Sequence, residues 1–150
     1  KMSIVYILEK YGLDELYNLM GTEKQKVKNV MILGAGRVGS KLSKELSAQG
    51  LNIKLIEINE QKANDIAEEL PDLMVLNVDG RNLDLLVEEN LENMDAFIST
   101  SGDSETNIMS CMMAKSKKVK KTIALVENMD YFNLSQLVEL KKMLSLAMFK

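Results

Sequence analysis

"ILGAGRVGSKL", residues 32–42, places Gly34, Gly36 and Gly39 at the spacing G-x-G-x-x-G and sets Arg37 between the second and third glycine. Upstream, "VMIL" (30–33) is an apolar run too short for a helix and ended by Gly34, which reads as a buried strand. Downstream, Val38, Leu42 and Leu46 recur at helical spacing as far as a stop at Gly50. A glycine turn between strand and helix has a mechanical reading. Gly34 lets the chain turn sharply, Gly36 lets backbone come close to a pyrophosphate, and Gly39 lets the helix pack tightly on the strand. The helix N-terminus then aims N–H groups at an anion.

A glycine-bearing turn in any strand–helix unit would also produce this motif, so the next acid matters. Glu57, about 20 residues on, stands at the end of a second strand, "IKLIEI" (53–58), where a carboxylate can accept hydrogen bonds from ribose hydroxyls. A solvated charge at a strand end is the plainer alternative. A carboxylate there repels a 2'-phosphate, which points to NAD, or to an unphosphorylated ribose such as that of ATP or ADP, over NADP. Arg37 falls on the same side. A cation at the positive end of a helix dipole is unfavourable by about 0.3–1 kcal/mol, and an anionic ligand reverses that sign. Only two arginines occur in the chain, Arg37 and Arg81, so a phosphate clamp explains the placement better than a free surface arginine.

Outward from the motif the chain alternates regularly. Asn59 suits the N-cap of "EQKANDIAEEL", whose Ala63, Ile66, Ala67 and Leu70 line one face before Pro71 ends it. "LMVLNV" (73–78) reads as a third strand, "NLDLLVEENL" (82–91) as a short helix and "DAFIST" (95–100) as a fourth strand. A helix over 104–115 and a fifth strand, "TIALVE" (122–127), follow. Val-, Ile- and Leu-rich strands separated by helices predict an α/β fold, a Rossmann-like parallel sheet with helices on both faces.

The ends differ. Ile4, Ile7, Leu8 and Tyr11, then Leu13, Leu16, Tyr17 and Met20, predict two short amphipathic helices, joined to the first strand through the lysine-rich "GTEKQKVKN" (21–29). Leu137, Leu140, Leu144, Ala147 and Met148 predict a last helix whose apolar face seeks a partner, which implies a homodimer or higher oligomer.

Composition bounds the rest. With 150 residues, 46% hydrophobic and 27% charged, one core of ordinary size is expected. The net charge of -3 supplies no field for nucleic acid or an acidic membrane surface. There is no histidine and one cysteine, Cys111, read as a small buried thiol, so no transition metal is assigned. No apolar run approaches the roughly 20 residues of a membrane span, and "KMSIVYILEK" lacks the features of a signal peptide. A soluble, cytoplasmic chain is the expectation, and its start at Lys1 fits a piece of something longer.

These stretches together resemble a family, the nucleotide-binding domain of regulator-of-potassium-conductance proteins, found in TrkA type cytoplasmic subunits of potassium uptake systems. The resemblance covers residues 27–131 and rests on "VMILGAGRVGSKLSKEL", "LIEIN", "NVDGRNLDLL", "DAFISTSGDSETNIMSCMMAK" and "TIALVENMDYFNL". Residues 1–26 look like a linker and the tail of a preceding regulator domain, and 132–150 are expected as a C-terminal helix. "LVELKKMLSLAMFK" departs from the small regulator subdomain that usually follows.

The resemblance implies site residues. Gly34, Gly36, Arg37, Val38 and Gly39 match the family's phosphate loop, Glu57 its ribose acid, and Asp79 with Gly80 its turn beside the adenine. Thr100, Gly102, Asp103 and Asn107 match the loop and helix start on the nicotinamide or terminal-phosphate side. Asp79–Gly80 as an ordinary turn and Asp103 as a helix cap are the plainer alternatives. The implied ligand is NAD or NADH, alternatively ATP or ADP. The implied partner is a membrane-embedded potassium translocation subunit, gated without bond breaking. An NAD-dependent oxidoreductase is the competing reading, since fold alone does not separate the two. It lacks support from an evident proton-transferring histidine or a second, substrate-holding domain.

Overall fold

Asn29–Leu33 forms strand β1 in the computed structural model, which describes residues 27–126. Its start is pinned by Asp95, whose Oδ2 accepts the backbone N–H groups of Lys28 and Asn29, each at 2.9 Å. The chain continues through α1 (Arg37–Ala48), β2 (Asn52–Glu57), α2 (Glu60–Glu69), β3 (Met74–Asn77) and α3 (Leu83–Glu88). A 3-10 turn over Leu91–Asn93, β4 (Ala96–Ser99), α4 (Ser104–Ser116) and β5 (Lys121–Ala124) complete the described residues. All strand pairs are parallel, and the spatial order is β3-β2-β1-β4-β5. A parallel sheet with connecting helices on both faces is what the apolar runs predicted.

Alternation along β1 divides the core into two layers. Val30 and Ile32 pack with Leu42 and Leu46 of α1 and, on β2, Ile53 and Leu55, with Ile66 of α2 against them. Met31 and Leu33 face the opposite way, toward Leu86 of α3, Phe97 of β4, and Ile108 and Cys111 of α4. Successive side chains of a strand point to opposite faces, so a single apolar run supplies both layers. Cys111 is fully buried, as expected, and burial pushes its thiol well above the ordinary range.

Several boundaries move. The fourth strand is trimmed to Ala96–Ser99, and the fifth is Lys121–Ala124 instead of 122–127, because its register is set by pairing Ala96 with Lys121 and Ser99 with Ala124. The helix expected over 82–91 stops at Glu88 and yields to the 3-10 turn after Asn90, which sits at φ 73°. The helices expected near both termini, the tail assigned to 1–26 and the segment 132–150 lie outside the described residues.

The strand order matters for function. From β1 the chain moves outward to β2 and β3, then returns to the other side of β1 as β4. The connections leaving β1 and β4 therefore diverge, and a crevice opens at their carboxyl ends.

Candidate functional site

Gly34 leaves β1 at φ +100°, a conformation that L side chains rarely adopt, and a Cβ there would stand 2.9 Å from the Ser101 backbone nitrogen. The β1 and β4 loops touch at this point. Thr100 ties them, donating its N–H to the Leu33 carbonyl at 2.7 Å, with its Oγ1 3.0 Å from the same oxygen. Gly39 is packed on the turn from the helix side. A Cβ added to it would fall 1.8 Å from the Gly34 carbonyl oxygen and 2.6 Å from Thr100 Oγ1. Gly36 is the opposite case: a Cβ there would meet no atom within 4 Å, and its φ is an ordinary −75°. The packing reason for the third glycine and the open space over the second are thus separate features of one loop.

Gly36 is also the N-cap of α1, and having no side chain it leaves the helix start without a side-chain cap, with no acid in the first turn. The other three described α-helices are capped by Asn59, Asn82 and Asp103, each with an acid in its first turn. The first N–H groups of a helix lack acceptors within it, so the α1 start is the place among these where an external anion would be best received. Arg37, its first residue, is exposed.

Glu57 closes the other side of the loop. It is 7% exposed, which excludes the solvated strand-end charge, and its two oxygens are used by backbone. Oε2 accepts the N–H of Ala35 at 2.8 Å and Oε1 accepts that of Asn59 at 2.9 Å. The carboxylate therefore braces the glycine loop as well as bordering the cleft, a role that its place in the chain does not reveal. Each oxygen has a second lone pair for a further donor.

The cleft between these walls has a volume of about 450 Å³. Of the residues singled out from sequence, Gly34, Gly36, Glu57, Asp79, Gly80, Thr100, Gly102 and Asp103 line it. Arg37, Val38, Gly39 and Asn107 do not. Gly80 sits where a Cβ would come 2.1 Å from Leu33 Cδ1, so its lack of a side chain lets the turn after β3 close over the end of β1. Asp79 Oδ1 accepts the Arg81 Nε–H and its Oδ2 accepts from Arg81 Nη2, both at 3.0 Å, and this pairing holds the Asp79 carboxyl below the usual range. Asp103 does cap α4, its Oδ2 accepting the Thr106 N–H at 3.0 Å, and its carboxyl is lowered chiefly by the Thr106 hydroxyl. Capping and bordering the cleft are compatible.

Sequence reasoning missed Ile58, Lys62, Arg81, Ser101 and Thr106 as lining residues. Lys62 and Thr106 lie in the first turns of α2 and α4 and reach the cleft because both helices start at the same edge of the sheet as α1. Their nearness to the glycine loop is set by strand order, for which the local sequence carries no signal.

Sheet order, the glycine turn and the acid at the end of β2 define a doubly wound α/β domain of the Rossmann type. A solved structure described as the NAD(P)-binding domain of an exopolyphosphatase-related protein from Archaeoglobus fulgidus shares this fold, with a TM-score of 0.58 at 17% identity over 78% of this chain and 99% of that one. The chain belongs to the TrkA-N domain family, which it matches over residues 30–145. It is 40% identical over 109 residues to the Trk system potassium uptake protein TrkA of Vibrio alginolyticus, and 41% identical over 109 residues to that of Haemophilus influenzae. In both cases the match covers 73% of this chain and 24% of the relative, so the chain spans about a quarter of the length of these relatives.

Proposed function

We propose that the cleft binds an adenine nucleotide, NAD or NADH in the first place and ATP or ADP as the alternative, and that this binding is the input of a regulatory subunit of potassium uptake. The observation that carries the reading is the start of α1, without a side-chain cap, beside Gly36 and facing a cleft that Glu57 at the end of β2 also lines. Such a cradle fits a pyrophosphate at the helix start and a ribose at the end of β2. In it the α1 N–H groups and Arg37 hold phosphate oxygens, Glu57 accepts from ribose hydroxyls, and the Asp79–Gly80 turn borders the base. Gly102 and Asp103 border the far end of the ligand. Asn107 stands behind that wall without lining the cleft.

The output is conformational. Ligand held between the β1 and β4 loops alters how the chain beyond them packs, and the change passes to a membrane-embedded potassium translocation subunit. The names of the Trk system relatives support this partner, and a place at the inner face of the membrane follows from it. No described helix is long and apolar enough to cross a membrane. Assembly as a homo-oligomer belongs to the same proposal.

Titration of the chain with NAD, NADH, ATP, ADP and AMP tests it. Stoichiometric binding of at least one of these without turnover is expected. Binding of none of them, or sustained NADH oxidation with a simple carbonyl substrate, would overturn the regulatory reading.

A further inference from the structure

Asn107 is 1% exposed, does not line the cleft, and spends its whole amide on other parts of the chain. Its Oδ1 accepts the Ser101 N–H at 2.9 Å, the Ser101 hydroxyl at 2.6 Å and the Ser99 hydroxyl at 2.8 Å. Its Nδ2 donates to the Ser101 carbonyl at 2.9 Å and to the Leu125 carbonyl at 2.8 Å. One side chain thus grips both backbone polar groups of Ser101, a residue of the cleft wall, and one backbone carbonyl just past the end of β5. Leu125 is held from the other side as well, its N–H donating to the Ser99 carbonyl at 2.9 Å.

An amide with both ends committed transmits displacement in a way that an apolar side chain does not. If Ser101 moves to accommodate a ligand, either the bond to Leu125 stretches or Leu125 follows. The buried carbonyl has much to lose if it is left unpaired. Leu125 follows β5 directly and lies one residue before the last described residue, Val126. On the nucleotide-binding function proposed for the cleft, on which this inference rests, we infer that Asn107 is a positioning residue: it sets the Ser101 wall for the ligand and links the occupancy of the cleft to the chain that leaves β5. It touches no ligand itself.

Such a link is reciprocal, so cutting it changes both ends. Asn107→Asp separates the two halves of the amide, because a carboxylate keeps acceptors for the Ser101 N–H and for the Ser101 and Ser99 hydroxyls but donates nothing to the Leu125 carbonyl or to the Ser101 carbonyl. Hydrogen exchange on the whole chain, with and without NADH and in parallel with ATP, reads the effect segment by segment. In the parent protein, nucleotide slows exchange over 34–39, over 101–103 and over 122–126. In Asn107→Asp the first two segments still respond, the response over 122–126 is lost, and nucleotide affinity falls by about fivefold or more.

A merely structural role would lower stability without deleting the response of one distant segment. If the variant keeps its response over 122–126, the inference is overturned. The parent protein alone provides a second trial that does not depend on the variant folding: slowing over 34–39 with none over 122–126 overturns the inference and leaves the binding site standing. No slowing over 34–39 with either nucleotide overturns the proposed function and this inference together.

Discussion

Gly36 and Gly39 stand three residues apart in one turn and have opposite reasons for lacking a side chain. At Gly39 a Cβ would meet backbone at 1.8 Å, so Gly39→Ala must shift β1 away from α1. We expect it to lower stability by several kcal/mol, of the order of the larger single-residue effects, as read by chemical denaturation. At Gly36 the space is open, so Gly36→Ala should unfold at nearly the parent's midpoint while losing affinity for pyrophosphate-bearing ligands. Equal destabilisation by the two would contradict this division of roles. Glu57 and Arg37 separate in a similar manner. Arg37→Ala should weaken ATP and NAD by about 1.5–3 kcal/mol and leave adenosine, which has no phosphate, nearly unaffected. Glu57→Ala should weaken every ribose-bearing ligand and raise NADP relative to NAD. It should also cost about 1–3 kcal/mol of stability, because it strands the buried Ala35 N–H that the carboxylate accepts. Calorimetric titration beside denaturation distinguishes these outcomes.

α4 is started by a side chain, Asp103, that also borders the cleft, and it shows how the two roles combine. Asp103 accepts the Thr106 N–H and hydroxyl, which favours its ionised form and holds its carboxyl below the usual range. A depressed folded-state value contributes stability that is present above the unfolded value, near 3.9, and is lost as pH falls through the folded one. Asp79, held by Arg81, works in the same sense. Stability should therefore decline below about pH 4. Asp103→Asn keeps a good capping oxygen without the charge, so it should retain most of the stability at pH 7 and show a shallower acid decline. Asp103→Ala should lose about 1 kcal/mol at pH 7. An acid decline in Asp103→Asn as steep as the parent's would show that the cap is not among the groups responsible.

Two apolar layers on one sheet make the domain a single cooperative unit, and a ligand seated on the ends of its central strands stabilises all of it. Nucleotide at about 100 times its dissociation constant should raise unfolding free energy by about 2.7 kcal/mol. Phe97 lies at the middle of the layer between β4 and the helices and is fully buried, so Phe97→Ala should cost about 3–5 kcal/mol. Saturating nucleotide should restore a large part of that loss. Thermal unfolding with NADH and ATP added checks both statements, and a melting temperature indifferent to every adenine nucleotide would count against the cleft as a binding site.

Much of this was legible in the chain itself. Apolar runs of strand length, separated by stretches of helical period, determine a parallel α/β sheet, because only strands covered on both faces can be apolar throughout. The turn chemistry of "GAGRVG" and the acid after it locate one wall of the cleft, since glycine is needed where backbone must approach backbone or ligand. Asn59 as the cap of α2 follows from the same local reasoning, and its Oδ1 accepts the Lys62 N–H at 2.9 Å. What local pattern does not contain is proximity. That Glu57 would spend its oxygens on Ala35 and Asn59, that Lys62 and Arg81 would border the cleft, and that Asn107 would bond to Ser101 and Leu125 without lining it are results of strand order and register. The sequence by itself determined the elements and the chemistry available at their ends. The tertiary structure decided which of those ends meet, because the return of β4 to the side of β1 brings together groups 67 residues apart, Thr100 on the Leu33 carbonyl among them.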